Sequence, residues 1–65
     1  MADKAQKVGE VVGGKSGQVY DVYYHDMTGM YRISRQGETN SDIGSGVVGS
    51  PDEALKAARE HVKTK

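Results

Sequence analysis

Ser50-Pro51-Asp52-Glu53 constrains this chain more than any other stretch. A serine followed three residues later by a glutamate is a capping box, in which each side chain satisfies a backbone N–H that the first helical turn leaves without a partner. Pro51 falls at the first helical position, where its missing N–H costs nothing and its fixed φ is already helical. Asp52 and Glu53 sit at the positive end of the resulting dipole, with His61, Lys63 and Lys65 toward the negative end. Ala54, Leu55, Ala58 and Val62 recur at helical spacing as one apolar stripe. Two alanines in that stripe let the helix lie close to whatever the preceding residues build.

Those residues read as a small antiparallel sheet. Val19 to His25 carries the strongest strand signal, because Val19, Tyr20, Val22, Tyr23 and Tyr24 all favour extended backbone. Alternation places Tyr20, Val22 and Tyr24 on one face and Val19, Asp21, Tyr23 and His25 on the other, which Asp21 marks as the solvated one. Asp26-Met27-Thr28-Gly29 is a hairpin turn, with Gly29 free to take positive φ. Met30 to Arg35 is the return strand, with Tyr31 and Ile33 inward and Met30, Arg32 and Ser34 outward. Gln36-Gly37 is a second turn, and Thr39 to Asp42 is polar and loop-like. Ile43 to Val48 is a third, irregular strand with Ile43 and Val47 or Val48 inward; Gly44 and Gly46 suggest a bulge. Met1 to Lys7 reads as a mobile tail. Val8 to Val12 is an optional edge strand weakened by Gly9.

The expected fold is therefore α+β: two to four antiparallel strands packed against one C-terminal helix. Residues 1–17 form a flexible N-terminal segment with an optional strand at 8–12, and residues 18–65 form the β-β-(β)-α domain. The expected core is Tyr20, Val22, Tyr24, Tyr31, Ile33, Ile43, Val47, Ala54, Leu55, Ala58 and Val62.

Sixty-five residues make one domain with a thin core. The chain has no cysteine, which removes disulfides, thiolate zinc sites and thiol nucleophiles and fits a reducing, cytoplasmic setting. The opening residues are charged and no apolar run follows, so neither a signal peptide nor a membrane span is expected. Nine basic residues balance nine acidic ones, a neutrality that argues against non-specific nucleic-acid binding.

Several patterns invite a chemical reading. Gly9-Glu10-Val11-Val12-Gly13-Gly14-Lys15-Ser16 matches the phosphate-loop spacing, but no helix follows Ser16, and a glycine-rich connection explains it better. His25-Asp26, with Glu38, Asp42 and His61, offers metal or acid–base side chains, yet no pair has ligand spacing on one element. Lys56, Arg59 and Lys63 are interleaved with Glu53 and Glu60, a salt-bridged face rather than a phosphate-binding one. No nucleophile–base or paired-carboxylate set can be placed in a pocket. No catalytic residue, cofactor, metal or small-molecule substrate is expected.

The stretch from Gly29-Met30-Tyr31-Arg32-Ile33 through Gly49-Ser50-Pro51-Asp52-Glu53-Ala54-Leu55-Lys56-Ala57-Ala58-Arg59 resembles short bacterial domains of unknown function that pair a Gly-aromatic strand with a capped C-terminal helix; this chain has Tyr31 where they tend to have Trp. The same elements are similar to the three-stranded DNA-binding domains of integrase arms and plant ethylene-response factors. That second resemblance implies readout of DNA by the outward sheet residues, here Tyr23 and Arg32.

The outer face carries Val19, Tyr23, His25, Met30, Arg32 and Ser34, a mixture of aromatic, Met and Arg enriched at interfaces. The expected function is a non-enzymatic protein-interaction module or homo-oligomer using that face, with DNA binding through the sheet as the alternative.

Overall fold

The computed structural model describes residues 5–38 and 42–65. Four strands, β1 (Gln6–Val12), β2 (Val19–Tyr24), β3 (Met30–Arg35) and β4 (Asp42–Val47), precede one helix, α1 (Pro51–Val62). The strands form an antiparallel meander in the order β1-β2-β3-β4, and α1 covers one face of it. This is the α+β architecture expected from the alternating strands and the capped helix.

The ladder sets the two faces. Tyr20, Val22 and Tyr24 of β2 lie opposite Arg35, Ile33 and Tyr31 of β3, so the aromatic and aliphatic positions of both strands point to α1. Val11, Tyr20, Val22, Tyr24, Ile33, Ala54, Ala58 and Val62 make the buried core, with Val8, Tyr31, Ile43, Val48 and Leu55 partly buried around it. Fully burying an aliphatic side chain contributes about 1.5–3 kcal/mol, so this single cluster supplies most of the driving force available to a chain of 65 residues.

α1 begins as its sequence requires. Ser50 Oγ accepts from the Glu53 N–H at 3.3 Å, while Glu53 Oε1 accepts at 2.9 Å from the N–H of Gly49, one residue before the cap. The helix lies low because glycines face it. A side chain at Gly9 would run into Leu55, and one at Gly44 into the His61 ring. Gly29 has φ +75° in the β2–β3 turn, and a Cβ there would lie 2.6 Å from the Val48 carbonyl oxygen.

Four expectations need correction. Gln6 and Lys7 are not tail: they pair with Tyr24 and Tyr23, and β1 as a whole takes Val11 into the core. The segment 1–17 thus supplies an edge strand on which α1 packs, where only an optional strand at 8–12 was expected. Gly9 weakens the strand in isolation but is what admits Leu55. Val47 is 71% exposed and pairs with Met30 on the uncovered face. A register shift at Ile33/Ser34 displaces β4's alternation, so Ile43 packs against the core as expected, with Val48 rather than Val47 beside it. Asp21 does not mark a solvated face, because it is only 7% exposed. The expected tail residues 1–4 and loop residues 39–41 lie outside the described residues.

The phosphate-loop look-alike is a turn that closes the end of the helix. Gly14 N–H donates to the Val62 carbonyl at 3.0 Å. The N–H groups of Lys15 and Ser16 converge on the Lys65 carbonyl at 3.0 and 2.9 Å, and Ser16 Oγ donates to the same oxygen at 3.2 Å. The amides that would cradle a phosphate are engaged instead by the open carbonyl of Val62, the last helical residue, and by Lys65 just beyond it.

Candidate functional site

The uncovered face of the sheet holds all six residues singled out from the sequence, but not as one cluster. Tyr23 and Arg32 lie directly opposite each other in the β2–β3 ladder, and the Arg32 guanidinium sits over the Tyr23 ring at 5.2 Å from its centre. Arg32 Nε also lies 3.2 Å from Asp42 Oδ1, an ion contact without the alignment of a hydrogen bond. One side chain is thus held from two directions, by an aromatic face in β2 and a carboxylate in β4.

His25, Met30 and Arg32 border a cavity of about 300 Å³, together with Thr28, Asp42 and Ser45. The cavity opens beside the β2–β3 turn. That turn is tied by His25 N–H donating to the Met30 carbonyl at 2.8 Å and Gly29 N–H donating to the His25 carbonyl at 2.8 Å. Val19 does not belong to this group. It pairs with Val12 at the opposite end of the sheet. Ser34 is on the right face but fully buried, between Asp21 and Asp42 in the ladder, and its Oγ has no hydrogen-bond partner among the described residues.

Asp21 is held by Lys7, whose Nζ lies 3.2 Å from Asp21 Oδ1 and 2.8 Å from Glu10 Oε2. Gln36 Nε2 donates to the same Glu10 oxygen at 3.1 Å. The hydrogen bond to Glu10, followed by the ion contact with Asp21, raises the Lys7 ammonium above its usual pKa. The hydrogen bond from Lys7 lowers the Glu10 carboxyl below its own.

His61, though exposed, is held against β4: its Nε2 lies 3.0 Å from the Ile43 carbonyl oxygen, which requires that nitrogen to carry the proton, and its ring covers Gly44. Among the described residues no three His, Asp or Glu side chains gather as metal ligands would, and no helix is long and apolar enough to cross a membrane.

Asp42 and Ser45 were not assigned to the site from the sequence, because their positions depend on the β3–β4 register. Knowing that Ser45 pairs with Arg32 would have found them. No protein-family model, curated protein or solved structure matches the chain.

Proposed function

We propose that this chain is a non-enzymatic, cytoplasmic protein-interaction module that works through the uncovered face of its sheet, by binding a partner protein or by self-association. The observation that carries this reading is the fixed Arg32, stacked on Tyr23 and tethered to Asp42 at the wall of an open cavity. Interface hot spots are enriched in Tyr and Arg, and a side chain ordered before binding loses less entropy on association. Met30 and Val47, 50% and 71% exposed, pair beside it and supply apolar area. The test is Tyr23→Ala, which removes the platform under Arg32 from a half-buried surface position. Immobilised wild-type protein should retain partners, or itself, that the variant does not, with the two proteins equally folded by circular dichroism. Equal retention would overturn the reading.

The Tyr23–Arg32 pair on a sheet also supports a second reading, DNA binding, to which the likeness to integrase-arm and ethylene-response domains points. Against it, the cations of this face are matched by anions: Lys7 by Glu10 and Asp21, Arg32 by Asp42. An amide NMR titration with mixed-sequence DNA at low salt separates the two. Shifts along residues 19–35 that vanish with added salt and with Arg32→Ala favour DNA. Unchanged spectra leave the protein partner.

A further inference from the structure

Resting on the protein-interaction reading, we infer that the partner at this site is a second copy of the chain, and that Met27 of each copy enters the cavity of the other. Three of the four large apolar side chains exposed among the described residues, Met27, Met30 and Val47, lie at one end of the sheet, and Met27 at 79% is the most exposed of all. It stands in the β2–β3 turn, next in the chain to Thr28, which lines the cavity together with Met30. A two-fold interface needs a knob and a hole on the same surface patch, so that each copy gives and receives one contact. This end of the molecule has both. A methionine suits the hole, because its flexible thioether chain adapts to irregular apolar space. A cavity of about 300 Å³ is at the small end of ligand pockets and admits one such side chain.

The charges are complementary as well. Asp26, next to the knob, makes no ion pair or hydrogen bond among the described residues. Arg32, at the wall of the hole, has only its Nε against Asp42, and its two terminal nitrogens make no hydrogen bond among the described residues. A carboxylate arriving beside an inserted Met27 meets that open fork, which suits two-point contact with a carboxylate. The zero formal charge leaves no net repulsion between copies. A standard interface covers about 800 Å² per partner, close to a fifth of this molecule's 4318 Å² surface. An interface centred on one turn and one cavity of about 300 Å³ is expected to form at high rather than trace concentrations.

Sedimentation equilibrium of the full chain from about 10 μM to about 1 mM tests this, the range where weak interfaces dissociate. Wild type should show a monomer–dimer equilibrium. Met27→Ser, in an exposed turn where it does not disturb folding, should weaken it at least about tenfold. Asp26→Arg and Arg32→Glu should each abolish it, and an equimolar mixture of those two variants should restore it. In the mixture each introduced arginine faces the introduced glutamate, and the native Asp26 of one variant faces the native Arg32 of the other. Should Arg32→Glu fail to fold, intermolecular NOEs from the Met27 methyl to Met30 and Thr28, in a mixture of labelled and unlabelled wild type, decide instead.

A protein that stays monomeric throughout overturns the inference, as does a dimer indifferent to Met27→Ser. Neither result touches the broader reading. That reading falls only if Tyr23→Ala retains every partner that wild type retains.

Discussion

Ile33 and Ser34 are neighbours on β3, and both are fully buried. Ile33 faces α1, among Val22, Val62 and the helix alanines; Ser34 faces away from it, between two carboxylate-bearing residues in the ladder. One side of the sheet is closed by apolar area and the other by polar side chains that hold one another. The first kind of burial is non-directional and supplies stability. The second desolvates the Ser34 hydroxyl without a hydrogen bond among the described residues, and the ion pairs around it are largely exposed, so it adds little stability. The face that supplies stability and the face proposed for recognition are therefore separated by the thickness of one sheet.

Truncations that cross from one face to the other should show the largest contrast. Ile33→Ala should cost about 3 kcal/mol, within the usual range for large-to-small core changes. Urea denaturation would measure it, and in so small a domain it should leave a substantial unfolded fraction at room temperature. Full stability in that variant would mean that the helix face is not the core.

Gly14→Ala comes next. Its Cβ would collide with the Lys63 backbone carbonyl, which must move and strain the turn that closes α1. A loss of about 1–3 kcal/mol is expected, as for other overpacked sites, with thermal unfolding as the readout.

A smaller effect belongs to the Lys7–Glu10 pair on the uncovered face. The Glu10 carboxyl is held below its ordinary pKa, so its contribution is complete above the unfolded-state value and disappears as pH falls through the folded-state one. The Lys7 ammonium is raised, so its share is complete below its ordinary value and fades as pH rises through the folded-state one. Both groups are solvent-exposed and salt should weaken the pair. Comparing the pH dependence of Tm in wild type and Lys7→Gln would show it: the variant should lose less on acidification. An identical acid limb in the two proteins would remove Lys7 from the account.

Ser34→Ala should change least. Its hydroxyl is buried without a hydrogen bond among the described residues, so deleting it removes a desolvated polar group and leaves stability within about 0.5 kcal/mol of wild type, or slightly higher. A clear loss would show that the hydroxyl holds a partner and that the uncovered face is more tightly organised than its ladder suggests.

What could be read from the sequence followed the range of the interactions involved. The helix and the β2–β3 hairpin were legible because caps, turn residues and alternation are local. Tyr23 and Arg32 came out on one face for the same reason. β1 was harder. Gly9 looks like a strand breaker until Leu55, far along the chain, is seen to need the space. Val47 was misplaced because one register shift exchanges inside for outside along β4. Asp21 looked solvated because nothing near it in sequence reveals Lys7 as its partner. The cavity was not legible at all. Ala5, Arg32 and Asp42 belong to three different strands or their flanks, and only the completed sheet brings them around one space.

The turn at Gly13–Gly17 should also behave unlike its composition. A glycine-rich connection normally exchanges its amide hydrogens with solvent almost at once. Here the amide of Gly14 is bonded to the carbonyl of Val62, the last helical residue, and those of Lys15 and Ser16 to Lys65 just beyond it, and they can exchange only when the segment 62–65 lets go. Three deuterium signals from this turn would therefore time the fraying of a helix end almost fifty residues away.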